Sequence, residues 1–268
     1  MRVLIYTAEP RGAMDEYNIR RLISERPDHD YVLLAVQRPR PKLTFLVRFK
    51  RRLVELRDGP NHWLRAIERL DRLIRSELAV VDLKARTTVL VNAVNDLPSK
   101  ERIREFQPDI IIQAGAGILS SDVFSLAKLG TLNVHHAIAP EVRGMRSTFW
   151  CLYYGLTDLV GVTCHKIDAT LDTGEVVLQE RYRPSIGEDF VRIQLTLCRL
   201  GGDLLLRSVD VLESHGAAAS IRSEVDSFYF GELRPEQFNA LHQNGYRPVA
   251  DPSTLARKRK VKQQLAIT

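Results

Sequence analysis

An amide, an imidazole and a carboxylate stand at Asn133, His135 and Asp172. The first two share the stretch GTLNVHHAIAPEVRG at 130–144, and the third lies in LDTG at 171–174. Such groups can donate to a developing oxyanion, exchange a proton at neutral pH and orient an imidazole. Together they suit acyl transfer to an amine. Alone, each has a plainer use: Asn133 can cap a strand end, and Asp172 reads as a turn aspartate. His136 follows His135 directly, and neighbouring side chains on a strand point to opposite faces, so only one of the two imidazoles can face a given site.

A metal could in principle draw on His135, His136, His165, Asp168 and Asp172. Their spacings match no standard zinc motif, and a strand pattern accounts for His165 and Asp168, so no metal is expected. Cys151, Cys164 and Cys198 are odd in number and widely spaced. That disfavours a disulfide framework and predicts a cytoplasmic protein.

The elements that must position these groups alternate. Buried, β-branched strands are expected at 3–7, 31–36, 89–91, 109–113 and 131–134, with helices at 14–26, 98–107 and 120–128 between several of them. This predicts an α/β fold, a mostly parallel twisted sheet with helices on both faces. Ligands of such sheets bind beyond the carboxyl ends of the strands, where 115–120 and 134–144 fall. A short helix at 146–155, strands at 160–167 and 175–182 turning at 172–174, and a long helix over 189–214 follow.

Residues 37–87 separate two expected strands by more than a normal crossover needs. Leu46, Phe49, Leu53 and Leu56 make one apolar face, and Trp63, Ile67, Leu70, Ile74 and Leu78 another, so a helical insertion over about 38–87 is expected. The domain reading is 1–216 for the main body, 217–250 for a small β or irregular appendage, and 251–268 for a basic flexible tail.

The net charge of +6 is uneven. Residues 38–57 hold eight Lys/Arg against Glu55, and RKRKVK at 257–262 holds five with no acid, leaving 26 basic against 32 acidic residues elsewhere. An acidic body argues against a nucleic-acid partner. The basic helix at 45–57 allows peripheral membrane contact. No apolar run is long enough to span a bilayer, and residues 1–8 lack the core of a signal peptide. The oligomeric state is left open, a homodimer being allowed.

Asn133-Val134-His135, Pro140, Arg143-Gly144 and Asp172-Thr173-Gly174 follow one another in a set order within a βα context. In this the chain resembles the formyltransferases that use 10-formyltetrahydrofolate, weakly from residue 1 and onward to about 185. The resemblance implies transfer of a formyl group from N10 of the folate to a primary amine, without a covalent enzyme intermediate. Asn133 and protonated His135 would stabilise the oxyanion, and Asp172 would orient His135 or a water. His135 is thereby preferred over His136, which falls to a structural or rim role. Ala116, Gly117, Ile118 and Leu119 would hold the pteridine, with Asp168 and Asp172 also on the folate. Arg11, Arg143 and Arg146 are the candidates to bind the acceptor.

For that acceptor, the loop at 8–15 has two acids and a proline, which suits a phosphate cradle poorly. About fifty residues follow Gly216, too few for the β-barrel of methionyl-tRNA formyltransferases. The aromatic appendage resembles the tails of bacterial amino-sugar N-formyltransferases. A nucleotide-linked amino sugar is therefore expected first, then an amino-acid-derived amine or glycinamide ribotide, and not tRNA. A non-catalytic folate- or nucleotide-binding protein on the same fold is the alternative.

Overall fold

A computed structural model describes residues 1–37, 61–78, 87–216, 220–255 and 259–266. In chain order the strands are β1 (Arg2–Glu9), β2 (Asp30–Gln37), β3 (Thr87–Val91), β4 (Ile110–Ala114), β5 (Gly130–His135), β6 (Val142–Gly144), β7 (Gly161–Lys166), β8 (Val176–Arg181), β9 (Ser220–Phe230) and β10 (Arg259–Ala266). The α-helices are α1 (Ala13–Glu25), α2 (His62–Ser76), α3 (Leu97–Phe106), α4 (Ser121–Phe124), α5 (Ser147–Tyr153), α6 (Phe190–His215) and α7 (Pro235–Gln243).

Near-continuous apolar runs place β1 and β4 at the centre, since a strand covered on both faces needs no polar side. The order β3-β2-β1-β4-β5 is parallel throughout, and β7 and β8 extend it antiparallel. One core packs the sheet against α1, α2 and α6 through residues such as Ile5, Leu22, Leu70 and Leu205. The other face buries Leu4, Tyr6, Ile103, Ala116 and Leu119. The expected α/β architecture is thus present, with helices on both faces.

Local signals fix the helix ends. Asp96 accepts from Ser99 N at 2.9 Å at the start of α3, and Asp189 accepts from Val191 N at 3.0 Å at the start of α6. Gln107 closes α3 in the left-handed region, φ 49°, just before Pro108. The helix expected over 120–128 stops at Phe124, because Lys128 N and Leu129 N turn back onto the carbonyls of Pro108 and Asp109 at the start of β4.

From the expected insertion, α2 lies across α1 and α6; the basic amphipathic helix read over 45–57 lies outside the described residues. The appendage is not merely β or irregular: β9 is followed by α7, which seats Phe238 5.2 Å from Trp63 and stacks His242 on His62 at 4.1 Å. The tail expected to fray instead holds β10, paired antiparallel to β9, with Leu265 beside Val176 of β8. Main-chain pairing needs no apolar side chain, so composition concealed this strand. No described helix is long and apolar enough to cross a membrane.

Candidate functional site

The carboxyl end of β5 and the β7–β8 turn build the site. In the antiparallel register Asn133 lies opposite His165, and their side chains meet at 3.2 Å between Nδ2 and Nε2. His165 Nδ1 is 3.0 Å from its neighbour's carbonyl, Lys166 O. A carbonyl can only accept, so Nδ1 carries the proton and Nε2 accepts from the Asn133 amide.

Asp172 sits between the two imidazoles, 3.7 Å from His135 Nδ1 and 3.6 Å from His165 Nε2. The turn that delivers it is tight: Asp172 has φ 53°, in the left-handed region. Gly144 N donates to Asp172 Oδ2 at 2.8 Å. Gly144 itself has φ 92°, and a Cβ there would stand 2.1 Å from Phe230 O. The Arg143-Gly144 pair is therefore legible as geometry: glycine lets β6 lie against β9 while its N–H holds the carboxylate. Burial alone would raise the Asp172 pKa, but His135, His165 and the Gly144 N–H outweigh it and hold it at about 2.

His135 Nε2 donates to Val142 O at 3.0 Å. Burial pushes its pKa below the ordinary imidazole value and Asp172 pulls the other way. Burial thus favours the neutral ring at rest. A proton gained by this ring lands on Nδ1, the nitrogen facing Asp172 Oδ2, where the carboxylate stabilises it.

The arginines separate. Arg143 is 7% exposed, donates to Ser227 Oγ at 2.7 Å and Leu171 O at 3.4 Å, and lies over the Tyr229 ring. It braces the turn carrying Asp172 and is not placed to meet a substrate. Arg11 pairs with Glu9 at 3.3 Å and lines neither cavity described below. Arg146, with φ 55°, pairs with Glu232 at 3.0 Å, lies over Trp63 and borders both cavities.

The loop of Ala116, Gly117, Ile118 and Leu119 is pinned from below. Gln113 donates to Gly117 O at 2.9 Å, and Asn95 donates to Ile118 O at 3.0 Å while accepting from Ser120 N at 2.8 Å. Ala116 and Leu119 are buried and Ile118 is 79% exposed. A fixed loop presenting an apolar side chain to solvent fits a flat heteroaromatic ring. Asp168 accepts from Thr170 N at 2.9 Å and Thr173 Oγ1 at 3.0 Å, holding the same turn as Asp172.

A cavity of about 340 Å³ opens beside Asn133, between α1 and α2, lined by Ile5, Ile19, Leu70 and Ile112 with Asp15, Gln113 and His136. A smaller one of about 150 Å³ adjoins His135, His136, Trp63 and Gln194. No group of three or more His, Cys, Asp or Glu among the described residues is arranged to hold a metal ion.

His165, which a strand pattern accounts for in the sequence, meets both Asn133 and Asp172. The hairpin at 160–182 held the signal, since an antiparallel register centred on its turn sets His165 against β5. Asn95 carried no motif.

Residues 77–208 match the formyl transferase family model. The chain is 36% identical over 144 residues to the methionyl-tRNA formyltransferase of Syntrophus aciditrophicus, covering 53% of this chain and 46% of that protein. It is 37% identical over 115 residues to that of Kosmotoga olearia, covering 42% and 37%. The chain thus spans less than half the length of these curated relatives. Among solved structures, a sugar N-formyltransferase from Shewanella superposes with TM-score 0.54 at 16% identity, covering 86% of this chain and 77% of that one. The formyltransferase PseJ from Anoxybacillus kamchatkensis, in complex with UDP-4,6-dideoxy-4-formamido-L-AltNAc and tetrahydrofolate, superposes with TM-score 0.52 at 16% identity, covering 93% and 96%. Phosphoribosylglycinamide formyltransferase from Bacillus halodurans gives TM-score 0.54 at 16% identity, covering 80% and 96%.

Proposed function

We propose that the protein, whose residues 77–208 match the formyl transferase family model, transfers a formyl group from 10-formyltetrahydrofolate to a primary amine of a nucleotide-linked amino sugar. The observation that carries this reading is the linked set Asn133, His165, Asp172 and His135 at the strand ends, with a cavity opening onto Asn133.

The folate, when bound, supplies the activated formyl carbonyl; Ala116, Gly117, Ile118, Leu119, Asp168 and Asp172 would hold it. The Asn133 amide supplies a donor for negative charge developing on the carbonyl oxygen, where loss of one such donor costs ~10²–10³ in rate. Neutral His135 would receive the proton that the amine gives up as its nitrogen bonds the formyl carbon, Asp172, ionised down to about pH 2, would stabilise the imidazolium, and the same proton would pass to the folate N10 as the bond from N10 to the formyl carbon breaks. His165 keeps the Asn133 amide turned with its oxygen away from the ring. The protein needs no nucleophile of its own.

The choice of acceptor is supported by the breadth of the likeness, which extends over 86% and 93% of the chain for the sugar N-formyltransferase and PseJ against 80% for the phosphoribosylglycinamide formyltransferase. The acidic body outside 38–57 and 257–262 disfavours a polyanion. Asp15 stands where the β1–α1 turn and Gly115 meet, so a carboxylate occupies the place where this fold can bind phosphate. A methionyl-tRNA acceptor is the second reading, favoured by the identity to methionyl-tRNA formyltransferases. A formylation assay presenting amino nucleotide-sugars, glycinamide ribotide and charged initiator tRNA in parallel separates them. Turnover of an amino nucleotide-sugar is expected; turnover confined to the tRNA or the ribotide would overturn the acceptor and leave the chemistry standing.

A further inference from the structure

We propose that His136 is an acceptor-binding residue at the junction of the two cavities; this rests on the formyl-transfer reading. Met14, Ile67, Leu70, His136 and Arg146 border both cavities, so the two spaces abut at these residues. Asn133 opens onto the larger cavity and His135 onto the smaller, while His136 faces both. An amine approaching either group passes this imidazole.

The ring is built to stay there. The helix α6 runs past it with Gly201, where a Cβ would stand 3.5 Å from His136 Nε2 and 3.1 Å from Val134 Cγ1. Gln194, a buried polar residue of the same helix, borders the smaller cavity with it. Thr148 Oγ1 donates to the His136 carbonyl at 2.8 Å, fixing the backbone. Burial and the neighbouring His135 push the His136 pKa down to about 4, although Gln194 acts to raise it. At neutral pH the ring is an uncharged hydrogen-bonding group rather than a base.

One of its nitrogens, Nδ1, is buried and has no hydrogen-bond partner. A polar atom left so carries a desolvation penalty that a ligand N–H or O–H relieves. Much of the surrounding wall is hydrocarbon, from Ile19, Leu22, Ile67, Leu70 and Leu205. The part of the acceptor that fits here is the amine with the hydrocarbon face of the ring that carries it, and one N–H or O–H donor for His136. This is a contact for binding, distinct from the proton transfer assigned to His135.

The test compares wild type with His136→Phe, Gln194→Leu and Gly201→Ala, using the member of the amino nucleotide-sugar, ribotide and tRNA panel that wild type formylates. For His136→Phe the KM for the acceptor should rise about tenfold or more while kcat changes less and the KM for 10-formyltetrahydrofolate holds, the mark of lost uniform binding. Gln194→Leu and Gly201→Ala should move the acceptor KM the same way by less, with Tm recorded to show that the fold is kept. An unchanged acceptor KM in His136→Phe and Gln194→Leu overturns the inference, as does an equal rise in both KM values. If wild type formylates no panel member, the formyl-transfer reading falls and this inference with it.

Discussion

The Asp172 carboxylate stands between two imidazoles, with Oδ2 3.7 Å from His135 Nδ1 and Oδ1 3.6 Å from His165 Nε2. One ring is placed to take a proton, and the other holds the Asn133 amide. His165→Leu should therefore lower kcat by ~10-fold or more with little change in the acceptor KM, because it disorients a donor used in the transition state. Steady-state kinetics on the variant, with circular dichroism to verify the fold, checks this. A wild-type kcat would leave His165 a strand residue only.

Arg143→Ala should act on stability. Its guanidinium is buried on Ser227 Oγ and Leu171 O, so its loss leaves these acceptors unpaired and costs ~2 kcal/mol or more. Urea unfolding measures the loss. Arg146→Glu should instead raise the acceptor KM more than it lowers kcat, since this side chain borders both cavities. If the two arginines exchanged these outcomes, the separation drawn between them would be wrong.

Stability should fall with acid in two windows. His136 is held at about 4 against an ordinary 6.5, and His135 is also lowered. In that window the unfolded chain binds more protons than the folded one, so this contribution is complete above about 6.5 and declines as pH falls. Asp172, at about 2 against 3.8, contributes above 3.8 and is lost toward 2. Thermal melts from pH 8 to pH 3 should show Tm falling from near 6.5, with His136→Asn flattening the upper part and Asp172→Asn the lower. A Tm independent of pH down to 4 would contradict the buried neutral state of His136.

Much of this was legible in the chain because it rests on local pattern. The apolar runs of β1 and β4, the turn at 171–174 and the order of Asn133, His135 and Asp172 each show within a few residues. The alternation of strands and helices gave the sheet and the end of it that carries the site. What escaped depends on contacts between distant segments. Arg143 reads as an acceptor-binding candidate until β9 brings Ser227 and Tyr229 against it. His165 needs the β5–β7 register, and α2 takes its place through Leu70 in the core and Trp63 meeting Phe190 and Phe238. The pairing of β10 with β9 is main-chain, and the few apolar residues of β10, Val261 and Leu265 among them, stand in a basic, polar stretch.

Ile118→Asp should weaken binding of 5-formyltetrahydrofolate at least ~10-fold in calorimetry, through a charge placed on an exposed apolar loop side chain. Unaltered affinity would move the folate away from the loop of Ala116, Gly117, Ile118 and Leu119.

The central claim is that the strand-end set performs formyl transfer from 10-formyltetrahydrofolate. It is tested most directly by following tetrahydrofolate release with an amino nucleotide-sugar as acceptor, in wild type and in Asn133→Ala, His135→Ala and Asp172→Ala. The account predicts acceptor-dependent release by wild type and a loss of ~10² or more in kcat for each variant. Release at the wild-type rate from folded Asn133→Ala or Asp172→Ala, or the absence of any amine-dependent release by wild type, would contradict it.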